Sequence, residues 1–289
     1  MTEQIANLAE ITQQIEDLMV ERDLRGMKSI QQALTPGYYQ RAAETLYNCK
    51  GTILIGTGFP VDDTFETDGP VGAIALYDTL KHLGADPVIV CGDPLSSVIR
   101  DDYKVYQISV GDPSKGQQEA EEALRVLKPE VVLSIERPGL TAEGIYANMR
   151  GEDISKRCAC FDYFLLEATC PTIAIGDGGN EIGMGNVTAA LAGLSIIPSA
   201  TTCDELLVAD VSNWAAHGLI ALLGLWSDED LLSKINTLDI LKYISARGSV
   251  DGVTRLNTLT EDSLESGAGQ QLIDELRQIT GFTKTDCTD

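Results

Sequence analysis

The stretch TIAIGDGGNEIGMGN, residues 172–186, places a short apolar segment directly before a loop that contains five glycines. The apolar segment, 172–175, has the length and composition of a buried β-strand. Glycines let the backbone of the following loop approach a ligand closely. A loop so rich in glycine loses much conformational entropy when it folds, which favours a functional role over a merely structural one. The stretch therefore predicts an α/β protein whose chemistry lies at the end of a strand.

The same alternation runs through the body of the chain. Short apolar segments predict strands at 52–56, 87–91, 104–109, 130–135, 172–175 and 206–209. Helices are predicted between and after them, at 71–83, 116–127, 213–225, 231–244 and 269–279. This order predicts a largely parallel, doubly wound, Rossmann-like sheet with helices on both faces. Right-handed crossovers would bring the loops after the strands to one edge, where such sheets bind ligands.

Helical segments precede this core. An apolar stripe at spacings of three and four predicts a first helix that ends near Gly26, and it consists of Ile5, Leu8, Ile11, Ile15 and Leu18. A second helix is predicted at 38–47. We expect one domain over residues 1–289, with N-terminal helices at 1–48, the α/β core at 50–260, and a C-terminal helix and tail at 261–289. We expect the stripe to pack on its own core, and a homo-oligomer formed through it is the alternative.

The charge balance excludes several classes of partner. The chain has 21 basic and 44 acidic side chains, a formal net charge of −23, which repels nucleic acid and anionic lipid and attracts cations. It has no apolar stretch of about 18 residues and no secretory signal at its start. Seven cysteines without a CxxC pair indicate reduced thiols, and they are Cys49, Cys91, Cys158, Cys160, Cys170, Cys203 and Cys287. We therefore expect a cytoplasmic protein.

Acidic side chains follow two of the predicted strands. Asp68 lies in the loop after the first strand, where it could bind a metal or simply cap the next helix. Glu136 and Arg137 lie together at the end of the fourth strand. Glu136 could bind a metal or act as a base, and Arg137 could hold a carboxylate or phosphate. The alternative is that the pair forms a surface salt bridge.

Two further loops reach the same predicted edge. Asp177, Asn180 and Glu181 lie in the glycine-rich loop and offer hard oxygen ligands, which suit Mg²⁺ or Mn²⁺ better than zinc. Ser212 and Asn213 precede a helix, so they could contact a substrate or serve only as a helix cap. Together the four loops predict a carboxylate metal site.

At these loops the sequence resembles the D-glutamate cyclase family. The resemblance covers about residues 50 to 260 and rests on GTGFP with FETDGPVGA, SIERPG, GIYANMRGEDIS, GDGGNEIGMGN, VSNWAAHG and VDGVT. It implies closure of D-glutamate, or a related acidic amino acid, to 5-oxo-D-proline with loss of water. It also implies a divalent cation, Mn²⁺ or Mg²⁺.

The resulting hypothesis is a metal-dependent lyase acting on a small acidic substrate. Its metal ligands would be Asp68, Glu136, Asp177 and Glu181, and its catalytic carboxylates Glu66, Glu136 and Glu181, with Glu66 taking the proton of the attacking amine. Its substrate contacts would be Gly58, Thr67, Arg137, Asn148, Arg150, Asn180, Ser212 and Asn213. One alternative is a Mn²⁺- or Mg²⁺-dependent phosphatase, and a second is a non-catalytic module that binds a small ligand.

Overall fold

The computed structural model describes residues 2–283, and a sheet of six parallel strands forms the centre of the chain. Its strands are β1 (Thr52–Thr57), β4 (Asp86–Cys91), β5 (Val105–Gln107), β6 (Val131–Ile135), β7 (Thr172–Gly176) and β8 (Glu205–Val208). Their spatial order is β5-β4-β1-β6-β7-β8. Two short antiparallel hairpins stand apart from this sheet, β2–β3 (Pro60–Val61 and Thr64–Phe65) and β9–β10 (Thr260–Glu261 and Leu264–Glu265).

Helices cover both faces of the sheet, because successive side chains of a strand point to opposite sides. Ile53 and Ile55 of β1 pack into one apolar core, whereas Leu54 between them packs into the other. The first face is covered by α1 (Thr2–Met19), α3 (Tyr38–Asn48), α4 (Pro70–His82), α5 (Leu95–Ile99), α9 (Ser212–Ser227), α10 (Thr237–Ser245) and α11 (Ser266–Ile279). The second face is covered by α2 (Met27–Gln31), α6 (Gly116–Leu127), α7 (Asp162–Leu166) and α8 (Thr188–Leu191). The predicted doubly wound α/β architecture is therefore confirmed.

The strand order has a reversal that positions the site. From β1 the chain adds β4 and β5 on one side, then returns to add β6, β7 and β8 on the other. The loops that leave β1 and β6 therefore diverge to opposite faces, which opens a crevice at their carboxyl ends. This is the place where open α/β sheets bind ligands, and the loops that we singled out in the sequence meet there.

Two predicted helices have different bounds in the structure. The predicted helix 231–244 is instead a short 3₁₀ turn at Leu232–Lys234 followed by α10, because the Asn236 side chain accepts a hydrogen bond from the amide of Asp239 and starts a new helix there. The first helix ends at Met19 and not near Gly26. Beyond it, the amides of Arg22 and Leu24 donate to the Asp210 carboxylate at 2.8 and 3.1 Å, so this segment is a tethered turn.

Two observations bear on the expectations from composition. None of the described helices is long and apolar enough to cross a membrane. The six cysteines within the described residues are free thiols, and Cys287 lies outside those residues.

Candidate metal centre and cavity

Three buried carboxylates converge at the reversal point of the sheet. Asp68 follows β1, Glu136 follows β6 and Asp177 follows β7. One oxygen from each lies within 4.8 Å of the others. Parallel strands bring their carboxyl ends to a common edge, so residues more than a hundred positions apart can meet in this way. The geometry is that of a group able to surround one cation.

The first turn of α9 holds all three carboxylates in place. The Ser212 amide donates to Asp68 at 3.0 Å and to Asp177 at 3.3 Å, and its hydroxyl donates to Glu136 at 2.5 Å. The Asn213 amide donates to the second oxygen of Asp68 at 2.8 Å. The amides at the start of a helix have no partners within the helix, and its dipole favours negative charge there. The helix start therefore orients the carboxylates while other oxygens of Glu136 and Asp177 stay available.

The glycine-rich loop places a fourth carboxylate beside the three. Gly179 has φ 109°, a conformation that favours glycine, and its amide donates to Glu181 at 2.7 Å. Glu181 lies outside the group of three whose oxygens converge most closely, and it lines the same cavity. The loop therefore shapes the site through its backbone and contributes two of its acids, Asp177 and Glu181.

A cavity of about 430 Å³ adjoins the carboxylate group, and Glu136 and Asp177 are among the residues that line it. This volume is within the range that small-molecule sites span. One end of the cavity is acidic, and there Glu66, Glu136, Asp177, Glu181 and Asp262 lie close together. Its walls are apolar, with Leu24, Phe59, Val61, Met149, Val253 and Leu264, and arginines Arg150, Arg157 and Arg255 also line it. The cavity thus joins a negative end to basic side chains, an arrangement suited to a small ligand that carries an anionic group.

Backbone strain is concentrated around this cavity. Within residues 2–283, eight residues other than glycine have positive φ, and five of them line the cavity, namely Asp62, Glu136, Arg255, Asp262 and Ser263. Such conformations cost about 1–3 kcal/mol each and persist where the surrounding structure enforces them, typically at functional sites. Glu136, with φ 45°, is the clearest case, because this strained residue is also one of the three carboxylates of the candidate metal centre.

The acids of the site are difficult to ionise in the protein alone. Burial raises the pKa of Asp68 to about 7, and the negative charge of Asp262 is the next largest contribution to this increase. Burial and the neighbouring carboxylates likewise raise the pKa values of Glu66 and Glu136 well above the usual range. Burial also raises the pKa of Asp177 well above that range, although Arg25 opposes the shift. Isolated buried carboxylates are costly unless a cation or protons neutralise them.

The residues present fit a hard divalent cation. Carboxylate oxygens are the preferred ligands of Mg²⁺ and Mn²⁺, and hydrogen bonds from Ser212 and Asn213 supply the supporting shell that metal ligands usually have. Among the described residues, Arg25 alone forms an ion pair with the site's acids, so a second source of positive charge suits them.

Seven of the predicted site residues line the cavity, namely Glu66, Glu136, Asn148, Arg150, Asp177, Asn180 and Glu181. Asp68 belongs to the group of three carboxylates, and the backbone amides of Ser212 and Asn213 donate hydrogen bonds to it. The side-chain NH₂ group of Asn180 donates to the carbonyl of Ala147 at 3.0 Å, while the side-chain oxygen of Asn180 is buried without a partner. Asn180 therefore presents an unused acceptor inside the site.

Three predicted substrate contacts have other roles in the structure. The Arg137 guanidinium is buried and donates to the carbonyls of Thr57, Gly58 and Ala159, so backbone carbonyls, and not the cavity, receive its donors. Gly58 serves as one of those acceptors. Thr67 is also buried, and its hydroxyl donates to the carbonyl of Thr260 at 2.8 Å. In the structure protein groups are the partners of these three residues, while Nε of Arg137 is buried without a partner.

Sequence reasoning missed Arg25 and Asp262. Arg25 forms ion pairs of 2.5 Å with both Asp177 and Asp262, and all three side chains line the cavity. Arg25 fell within the predicted N-terminal helices, and Asp262 fell just beyond the predicted end of the core. Asp262 lies in the turn of the β9–β10 hairpin, and the short acidic run at 261–262 was its only signal in the sequence.

A family model described as D-glutamate cyclase-like, C-terminal, matches residues 15–277. The chain belongs to this family. The span matched by the D-glutamate cyclase-like model includes Arg25 and Asp262 as well as the carboxylate group, so the whole site lies within it. The resemblance seen in the sequence is thereby confirmed.

Two known proteins are similar to this chain, one in sequence and one in structure. Human mitochondrial D-glutamate cyclase is 30% identical over 199 residues, which are 60% of this chain and 32% of that protein. This D-glutamate cyclase-like chain thus matches about a third of the length of its human relative. A crystal structure of an exopolyphosphatase-related protein from Bacteroides fragilis aligns with a TM-score of 0.44 at 11% identity, covering 87% of this chain and 62% of the other.

Proposed function

We propose that this chain is a metal-dependent lyase that closes D-glutamate to 5-oxo-D-proline with release of water. The observation that carries the proposal is the group of Asp68, Glu136 and Asp177, buried and within 4.8 Å at the end of a cavity whose lining includes basic side chains. Family membership supplies the reaction type. The matching human protein is named for D-glutamate, and we extend that substrate to this chain as part of the proposal.

In the proposed reaction the substrate amine attacks the carbon of its own side-chain carboxyl group. A C–N bond forms, a C–O bond breaks, and the departing oxygen leaves as water. Asp68, Glu136 and Asp177 would hold Mn²⁺ or Mg²⁺, and the bound cation would supply Lewis acidity at that carboxyl group. The cavity contributes by holding the substrate folded, because an oriented intramolecular attack avoids much of the entropy cost of bringing two groups together.

Arg150 is the residue that we assign to the second carboxylate of the substrate. Three arginines line the cavity beside Arg25, and two of them are engaged with protein carboxylates. Arg157 pairs with Asp62, and Arg255 pairs with Asp62 and Glu152. Within the described residues Arg150 has no ion pair, and its side chain donates only to the carbonyl of Val253 at 3.2 Å. Its remaining donors can form the paired hydrogen bonds that arginine makes with a carboxylate.

Glu66 is the residue that we assign as the base. It lines the cavity and is buried, and burial together with the charges of Asp262 and Asp68 raises its pKa well above the ordinary value. A carboxylate with a raised pKa accepts a proton near neutral pH more readily than an ordinary one. Glu66 can therefore take a proton from the attacking amine.

The test is to incubate the purified chain with D-glutamate and Mn²⁺ or Mg²⁺ and to follow 5-oxoproline by chiral chromatography. We expect D-glutamate to be converted and Asp177→Asn to reduce turnover by at least about 10²-fold, since the variant loses a ligand charge at the reacting end. Asp101→Asn is the matched control, because Asp101 is exposed and distant in sequence from the site loops. Equal turnover by both variants would contradict the assignment.

The same preparation distinguishes the two alternatives. A panel of small phosphate esters with Mn²⁺ reports phosphatase activity, and its hydrolysis without conversion of D-glutamate would replace the lyase proposal. Tight binding of D-glutamate without turnover under either metal would indicate a binding module. Neither alternative has an observation in the site that favours it over cyclisation.

A further inference from the structure

Arg25 occupies a position that its place in the sequence does not suggest. It follows the first helix, in the turn between α1 and α2, yet its side chain enters the acidic end of the cavity. The side chain is only 18% exposed. Among the basic residues that the structure describes, it is alone in pairing with acids of the candidate metal centre.

One edge of the Arg25 guanidinium is fully anchored. Its Nε donates to the carbonyl of Asp177 at 3.0 Å, and its Nη2 contacts the carboxylates of Asp177 and Asp262 at 2.5 Å each. Nη2 also donates to the carbonyl of Asp210 at 2.8 Å. Because the guanidinium is planar, these contacts fix the direction of the whole group.

The other nitrogen, Nη1, is left with unused donors. It donates to no acceptor within residues 2–283, whereas Nε and Nη2 both do. It is also absent from the nitrogen and oxygen atoms that are buried without a partner, so Nη1 is accessible. Since Arg25 lines the cavity, these two N–H donors are available to a ligand inside it.

The backbone around Arg25 is built to hold this orientation. The Asp210 carboxylate at the end of β8 accepts the amides of Arg22 and Leu24 on either side of the turn. Asp23 and Gly26 both have positive φ, which closes the turn around Arg25. The side chain is therefore preorganised by a connection to the same sheet edge that carries the carboxylates.

We propose that Arg25 is a catalytic residue, whose Nη1 binds an oxygen of the substrate carboxyl group that loses water. This inference rests on the proposed function, and it adds a positive donor from the N-terminal segment to the reacting end of the site. The group that it binds lies beside the carboxylate cluster, while Arg150 holds the other carboxylate of the substrate. A fixed, charged donor aimed at the oxygen where charge develops lowers the barrier without needing to reorganise.

The test measures ligand binding and metal binding separately. Glutarate, a five-carbon dicarboxylate without the amine, binds but cannot cyclise, and its affinity in the presence of Mn²⁺ is measured by calorimetry. For Arg25→Met we expect glutarate affinity to fall at least about tenfold, the loss of a charged hydrogen bond. Mn²⁺ affinity is expected to stay equal or to increase, because the variant removes a positive charge next to Asp177.

Arg22→Met is the matched control. It removes the same charge from the same turn, but the Arg22 side chain lies over the Trp214 ring and outside the cavity. We expect its glutarate affinity to stay within twofold of the wild type. Arg25→Lys is the second variant, in case the methionine variant does not fold. Lysine keeps the positive charge but lacks the second terminal nitrogen of the guanidinium group, so glutarate affinity should again fall.

Two outcomes would overturn the inference. Glutarate affinity within twofold of the wild type in both Arg25 variants would mean that Nη1 contacts no substrate. A parallel fall in Mn²⁺ and glutarate affinity would mean that Arg25 only supports the metal ligands. Failure of the proposed function has a different signature, since the wild type would then bind Mn²⁺ and glutarate but leave D-glutamate unchanged.

Discussion

Ser212 shows how one small side chain can organise a highly charged site. Its amide and hydroxyl together reach all three carboxylates of the candidate metal centre. Without such donors, three buried acids at close range would repel one another and turn apart. Ser212 thus fixes the ligands without taking a ligand position itself.

We predict that Ser212→Ala weakens Mn²⁺ binding by about 10- to 100-fold, the usual effect of losing a hydrogen bond to a metal ligand. The amide contacts remain, so the fold should be preserved. Calorimetric titration with Mn²⁺ measures the change. Ser227→Ala is the control, because Ser227 lies at the far end of the same helix and donates to the carbonyl of Leu223. Unchanged Mn²⁺ affinity in Ser212→Ala would remove Ser212 from the supporting shell.

At the scale of elements, the glycine-rich loop acts through its backbone. Gly179 adopts a φ of 109°, and its amide orients Glu181. A side chain there would strain the backbone and would also meet Leu191. A glycine is therefore required at position 179 for its backbone conformation, and not for general mobility of the loop.

We predict that Gly179→Ala lowers the free energy of unfolding by about 1–3 kcal/mol, the cost of a strained backbone position. Gly193→Ala is the matched control, because a methyl group there meets no atom within 4 Å and its φ is not positive. The control should be neutral or stabilising by up to about 1 kcal/mol. Urea unfolding of the three proteins gives the comparison, and equal losses in both variants would contradict the role of the left-handed backbone.

The strands and the loops after them were predictable because hydrophobic periodicity is a local signal. Each of the six predicted strands overlaps a strand of the sheet, and Asp68, Glu136 and Asp177 follow from the rule that parallel strands end at one edge. Arg25 and Asp262 were not predictable in this way. Arg25 reaches the site from the turn after α1, and Asp262 reaches it from the turn of the short β9–β10 hairpin. The positions of such turns depend on long-range contacts, such as the one between the Arg22 amide and Asp210.

Arg137 is a predicted substrate contact whose partners in the structure are protein groups. An arginine at a strand end is a reasonable carboxylate binder by sequence, but its environment decides which acceptors it meets. In the structure three backbone carbonyls surround it. The position of Arg137 in the sequence places it at the predicted edge of the sheet, and the packing of the 140–171 connection, which contributes Ala159, determines which acceptors its guanidinium meets.

On the scale of the whole molecule, the buried acids make stability depend on pH. Their pKa values are raised in the folded protein, to about 7 for Asp68 and about 8 for Glu261, chiefly by burial. The unfolded chain loses these protons near pH 4. Between these values the folded state holds more protons than the unfolded state, so the free energy of unfolding falls as pH rises.

We therefore predict that the metal-free protein is more stable at pH 5 than at pH 8, as measured by urea unfolding with a chelator present. Glu261→Gln should reduce the difference, because the glutamine can still accept the hydrogen bond from Asn213 and does not titrate. Saturating Mn²⁺ should restore stability at pH 8, where the ligands are ionised. Equal stability at both pH values would contradict the burial of ionisable acids in the site.

The side chains around the cavity come from the whole length of the chain, from Arg25 to Asp262. Under the proposed assignment, a polypeptide still attached to the ribosome cannot assemble this pocket until its last hairpin has emerged. Glutarate binding would then mark the completion of folding, because no intermediate that lacks either end has the full set of charges. The number of glutarate molecules bound per chain would accordingly count the correctly finished molecules in a preparation.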